Sequence, residues 1–210
     1  MNMNISSFAG IILAGGNSTR MGKNKYGLVV KGETMLERTI RILDPFVSQI
    51  IIVLKAFERE NPHTFTNKKI VAAYDSVSNR GPLQGIVDGV ACMDDRIKYV
   101  FLLTCDLPYL TGDWLLKLKN EYLEQSVDGV ITSVDNFTNP LIALYHKKVI
   151  DNSQVLIDSG IKRPLDLWDG FNIQPLEIDK ENQLVVQDMN TPEAYQKACL
   201  FYKQLDLKNK

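Results

Sequence analysis

The sequence predicts an α/β protein: a three-layer arrangement of a mostly parallel, twisted sheet with helices on both faces. Three observations carry this. First, four short apolar runs, "FAGIIL", "QIIIVL", "KIVAAY" and "KYVFLLTCD", are polar on neither face, as in strands covered from both sides. Second, segments with helical periodicity and recognisable caps alternate with them, the pattern of βαβ units. Third, no linker, repeat or low-complexity stretch divides the 210 residues, so residues 1–210 read as a single domain.

In chain order, Phe8–Leu13 reads as a buried strand. "ETMLERTIRIL" is a helix, with Thr34 and Glu37 as a capping-box pair and Leu36, Ile40 and Leu43 on one face. Gln49–Leu54 and Lys69–Tyr74 are the next strands, the latter ending at Asp75. The stretch from Glu58 to Lys68 between them reads as a surface loop. "GPLQGIVDGVACM" is a helix opened by Gly81-Pro82, and "KYVFLLTCD" is a strand ending at Asp106. "TGDWLLKLKNEYL" is a helix capped by Thr111. "DGVITSV" and "PLIALYH" are close enough in sequence to form an antiparallel pair. A helix from Lys147 to Gly160, a short helix or ordered loop at "RPLDLWDG", and a late strand at "FNIQPLEI" follow. A final helix starts at Thr191-Pro192.

Composition narrows the function. The 24 Lys+Arg balance 25 Asp+Glu to a net charge of -1, which argues against sequence-independent nucleic-acid binding. Cys92, Cys105 and Cys199 are odd in number and form no CxxC pair, so no disulfide framework is expected. His63 and His146 are too few and too distant for a zinc site. No apolar run approaches the roughly 18 residues of a membrane span, and "MNMNISSF" lacks the basic and apolar regions of a signal peptide. A cytoplasmic location is expected.

Ligands of open α/β sheets sit beyond the carboxyl ends of the strands. The opening loop, Asp75 and Asp106 each follow a strand directly and are expected to gather on one edge. In "GIILAGGNSTRMGKNK", Gly10 to Lys25, the paired glycines Gly15 and Gly16 allow close backbone approach and free N–H groups. Arg20 offers a fork, and Lys23 and Lys25 offer point charges, for phosphate oxygens. A Walker loop has one residue fewer between its glycines than the stretch from Gly16 to Gly22, and needs Ser or Thr where Asn24 stands; the Gly-x-Gly-x-x-Gly fingerprint is also missing. An exposed, incidentally basic turn would share this composition.

An Asp at the end of a buried strand, such as Asp106, suits Mg²⁺ held against phosphates, although Pro108 equally marks a turn. Asp75 fits a ligand contact or an Asx-turn. Asp188 and Asn190 reach the same edge if the last strand and helix fold back. Gly85 and Gly89 are expected to permit tight helix–sheet packing, and Cys105 to be core.

Together, "LAGGNSTRMGKNK", "GPLQGI", "TCDLPYL" and "NTPEAY" occur in the order seen in nucleotidyltransferases with an LAGGxxxRMGxxK loop. Within that group the chain most resembles the molybdenum cofactor guanylyltransferase family, over about residues 10 to 195. The resemblance implies a Rossmann-like nucleotide-diphospho-sugar transferase fold and transfer of GMP from GTP to the molybdopterin cofactor with release of pyrophosphate. Mg²⁺ is the implied cofactor, and transient docking to proteins that supply or accept the cofactor is the implied partnership.

By resemblance, Leu13, Ala14, Gly15 and Gly16 lie against the nucleotide, and Lys25 and Arg20 contact phosphate. Asp75 sits at the base or ribose end and Asp106 ligates Mg²⁺, while "TNPLIALYH", "KRPLDLW" and "QDMNTPE" face the pterin substrate, with Arg163, Asp188 and Asn190 as the polar groups there. Arg20, Lys25 and Asp106 are thereby the catalytic set. Three departures bear on GTP against CTP: Asn24 replaces the family's usual Asp, Leu54 replaces an Asn, and Asp188 replaces an Asn, in the manner of relatives that put a second carboxylate on the metal. A cytidylyltransferase, a sugar-phosphate nucleotidylyltransferase and a non-catalytic nucleotide- or cofactor-binding module are the alternatives.

Overall fold

The computed structural model describes residues 4–15, 25–60, 65–77, 81–161 and 163–208, with the backbone alone at Lys25 and Glu181. Strand β1 (Phe8–Leu13) is the buried apolar run that opens the chain. A hairpin of two-residue strands, β2 (Val29–Val30) and β3 (Glu33–Thr34), turns at Lys31 and Gly32, both with positive φ, and leads into α1 (Met35–Leu43). Helix α1 starts where expected because Thr34 and Glu37 satisfy each other's end of a capping box; such a cap is worth about 1 kcal/mol.

β4 (Gln49–Leu54) and β5 (Ile70–Tyr74) follow. Gly81, at φ 81°, swings the chain into α2 (Pro82–Val90), with Pro82 in its first turn. β6 (Tyr99–Thr104) precedes α3 (Gly112–Glu124), whose cap is Thr111, 3.3 Å from the Trp114 amide. β7 (Gly129–Val134) and β8 (Phe137–His146) are the expected antiparallel pair, although β8 begins earlier than Pro140. α4 (Lys147–Asp158), a 3₁₀ turn at Pro164–Trp168, β9 (Ile173–Glu177) and α5 (Pro192–Lys208) complete the chain.

Seven strands form one sheet in the order β5-β4-β1-β6-β8-β7-β9. β5, β4, β1 and β6 are mutually parallel, and β8 is antiparallel to both of its neighbours. β9, parallel to β7, forms the edge and carries Pro175 there, where a missing N–H is tolerated. One face packs on α1 and α3 through Leu43, Trp114, Leu115 and Leu118. The other packs on α2 and α4 through Leu83, Ile86, Val149 and Ile150. A third cluster joins α5 to the β2–β3 hairpin through Val30, Met35, Tyr109, Met189, Ala198 and Tyr202. Among the described residues no helix is long and apolar enough to cross a membrane.

Gly89 and Gly85 act as the sequence implies. A Cβ on Gly89 would stand 3.2 Å from Ile11, and one on Gly85 3.2 Å from Leu13 and 3.3 Å from Val53, so α2 rides directly on the sheet. Cys105 is core. The stretch after β4 departs from a plain surface loop. Glu58, in a 3₁₀ turn at Ala56–Glu60, is only 8% exposed, because its carboxylate accepts from the Lys55 amide at 2.9 Å and from the Tyr26 hydroxyl.

Candidate active site

The chain runs outward from β1 to β4 and β5, then returns to place β6 on the other side of β1. That reversal opens a crevice at the carboxyl ends of β1 and β6. Backbone hydrogen bonds extend the sheet past the strand ends. Ala14 N–H donates to the Val53 carbonyl (2.9 Å), Asp75 N–H to Leu54 (2.9 Å) and Cys105 N–H to Leu13 (3.4 Å). Leu13, Ala14, Gly15, Asp75 and Asp106 are therefore held along one edge, as expected. Gly16 and Arg20 lie outside the described residues. The Lys25 backbone enters a 3₁₀ turn, Lys25–Gly27, which the Tyr26–Glu58 hydrogen bond ties to the exit of β4.

Asp75 is packed between two glycines. A Cβ on Gly15 would lie 2.9 Å from Asp75 Oδ2, and one on Gly85 3.4 Å from Oδ1. Here glycine serves close approach. Partial burial first, then the neighbouring Asp88 carboxylate, push the Asp75 carboxyl up to about 6; Lys55 opposes this and Glu58 adds to it. Asp88 is fixed by the Ser76 amide (2.8 Å) and the Gln84 side chain (3.3 Å), and Gln84 also donates to Ser76 Oγ (2.8 Å). Leu54 has no exposed side chain, so it meets the site through its backbone alone, whose carbonyl carbon lies 3.4 Å from a Cβ built on Gly15.

Asp106 follows β6. Its carbonyl accepts from the Met189 amide at 2.9 Å, while the Met189 side chain is fully buried in the α5 cluster. This anchor brings Asp188 and Asn190, on either side of Met189, to the same edge. Thr191 then caps α5 with its hydroxyl 3.2 Å from the Ala194 amide. Arg163 is placed otherwise: exposed, with its guanidinium forked onto Asp166 at 2.7 Å and 3.0 Å. His146 pairs with Tyr99 at the opposite edge of the sheet. Among the described residues no group of three or more His, Cys, Asp or Glu is arranged to hold a metal ion by itself.

Several residues that brace this edge carry no sequence signal. Glu58 and Tyr26 carry no motif, and their pairing spans 32 residues. Arg38, 7% exposed, also has no local signal. Its guanidinium donates to the Pro108 carbonyl (2.8 Å), to Glu33 (3.1 Å) and to the Tyr202 hydroxyl, and so ties α1 and α5 to the turn just after Asp106.

Known proteins resemble this chain in sequence and in fold. Residues 10–170 match the model of the MobA-like NTP transferase domain. A probable molybdenum cofactor guanylyltransferase from Bacillus mycoides is 26% identical over 207 residues, covering 98% of this chain and 100% of the relative. One from Bacillus cytotoxicus is 25% identical over 193 residues, covering 91% and 96%. Molybdopterin-guanine dinucleotide biosynthesis protein A from Archaeoglobus fulgidus superposes with a TM-score of 0.76 at 19% identity, covering 93% of this chain and 99% of that one. At that identity the likeness is one of fold.

Proposed function

The chain belongs to the MobA-like NTP transferase family, and on that premise we propose that it transfers GMP from GTP to the molybdopterin cofactor and releases pyrophosphate. The observation that carries this reading is the convergence of Gly15, Asp75 and Asp106 on one sheet edge, with Asp188 and Asn190 delivered there by the Met189–Asp106 hydrogen bond.

Nucleotide lies against Leu13 to Gly16, with Asp75 accepting from its ribose or base, and Arg20, Lys25 and the loop amides hold its phosphates. The terminal phosphate of molybdopterin attacks the α-phosphorus. The new P–O bond forms as the bond to the β-phosphate breaks, and pyrophosphate leaves. That nucleophile is already ionised, so no general base is needed, consistent with His146 at the far edge. Charge that builds on the leaving phosphates is met by the cationic side chains of Lys25 and Arg20.

Asp106 would hold Mg²⁺, with Asp188 as a second carboxylate. One or two carboxylates on adjoining backbone fit an ion that completes its shell with phosphate oxygens and water. When bound, the ion supplies neutralisation of the phosphate charge.

Pyrophosphate release by purified variants tests the assignment. Lys25→Ala and Asp106→Ala should abolish it while circular dichroism and melting temperature stay as in the wild type. Arg20→Lys should also be slow, because a forked contact becomes a point charge. Wild-type turnover in the Lys25 or Asp106 variant would remove those residues from the site.

A further inference from the structure

β7 and β8 join through Asp135 and Asn136, whose φ values of 49° and 67° make a tight primed turn. Directly opposed residues share a face, so Val134 and Phe137 stand together, as do Thr132 and Asn139. Together with Val186, these residues line a concavity of about 280 Å³ at the carboxyl edge of the sheet. That is close to the lower end of small-ligand pockets, about 300 Å³.

The hairpin is braced. Pairing jumps from Ile131↔Ala143 to Thr132↔Asn139, so Pro140, Leu141 and Ile142 bulge from the ladder. The carbonyls freed by the bulge are taken up on both sides. Thr132 Oγ1 donates to Ile142 (2.7 Å) and accepts from Trp114 Nε1 (2.9 Å). The Tyr145 hydroxyl donates to Pro140 (2.9 Å) and accepts from Trp168 Nε1 (3.1 Å). Asn139 accepts from the Leu141 amide (2.9 Å) through Oδ1, which leaves its NH₂ able to donate. On this braced frame Phe137 is 82% exposed.

The concavity lies on the far side of Asp106 from the nucleotide exits of β1, β4 and β5. Val186 is two residues from Asp188 and three from Met189, which is bonded to Asp106. From β6 to β7 is two strand spacings, about 10 Å. The geometry points to Phe137 as the stacking platform for the planar heterocycle of the acceptor, with its phosphate toward Asp106 and the Asn139 NH₂ donating to the ring's edge. This deepens, and rests on, the GMP-transfer reading. An exposed aromatic face binds flat rings without reading a sequence of donors, and stacking on one such ring changes affinity by about tenfold.

The test uses the full chain as wild type, Phe137→Ala and Phe137→Trp, with melting temperatures to confirm folding. Steady-state pyrophosphate release should show the acceptor KM raised about tenfold in Phe137→Ala, the GTP KM and kcat unchanged, and the acceptor KM restored in Phe137→Trp. An unchanged acceptor KM in Phe137→Ala overturns the platform while leaving the reaction intact. If the wild type releases no pyrophosphate from GTP and molybdopterin, the reaction itself fails. A direct titration of a phosphorylated pterin, followed by its fluorescence, then decides the platform. Binding to wild type and Phe137→Trp that is weakened in Phe137→Ala supports it, and equal binding or none overturns it.

Discussion

Replacing Asp75 by Asn should make the protein more stable and a poorer enzyme. The Asp75 carboxyl rises from its ordinary 3.8 to about 6, chiefly through burial and the Asp88 charge. Its folded value lies above its unfolded one, so the fold favours the protonated form. Stability is undiminished below 3.8 and falls as pH rises through about 6. A displacement of that size corresponds to about 3 kcal/mol. Asp75 is only half-buried, so solvent screening cuts this to about 1–1.5 kcal/mol. Asn keeps the shape and removes the charge. At about pH 7.5 its melting temperature should rise by about 2–5 °C, and at about pH 4 the gain should vanish. The same change removes a charged acceptor for nucleotide donors and should raise the GTP KM about 10-fold or more. Paired thermal melts at the two pH values and a GTP titration of pyrophosphate release check both halves. A gain that persists at pH 4, or no gain at pH 7.5, would refute the buried-charge argument.

Other perturbations probe the frame around that carboxylate. Arg38→Met deletes a buried guanidinium bonded to Pro108, Glu33 and Tyr202. It should cost about 3 kcal/mol in urea unfolding at an unchanged slope, and a cost below about 1 would show that the hub is dispensable. Gly15→Ala sets a methyl 2.9 Å from Asp75 Oδ2. GTP use should fall by up to about a hundredfold with circular dichroism unchanged, and normal kinetics would show that the close approach has no role. Gly10→Ala drives a Cβ into the Leu43 side chain. That overpacking should lower stability by about 1–3 kcal/mol in the same urea assay, and an unchanged midpoint would mean that α1 moves aside freely.

The parts legible in the sequence are those governed by local pattern. β1, β4, β5 and β6 are continuous apolar runs, so their existence and shared exit edge follow from strand burial and βαβ alternation. Helix starts at Thr34, Thr111 and Thr191 follow from capping chemistry. The rest depends on tertiary contact, which leaves no local pattern. The β2–β3 hairpin is too short to show a period. β8 runs through Pro140, a residue that argues against a strand, because a braced bulge absorbs it. Glu58 looks like surface, yet it is buried by Tyr26 from far along the chain. The convergence of Asp188 and Asn190 on Asp106 was expected only if the chain folded back. Its physical agent, the buried Met189, reads locally as an ordinary apolar residue.

The central claim is most directly tested by pyrophosphate release from each of the four ribonucleoside triphosphates, with molybdopterin and with sugar phosphates as acceptors. GTP with molybdopterin should be the productive pair, and a guanine dinucleotide should accumulate in step with pyrophosphate. Faster turnover with CTP, turnover with a sugar phosphate instead, or tight GTP binding without any product would contradict it.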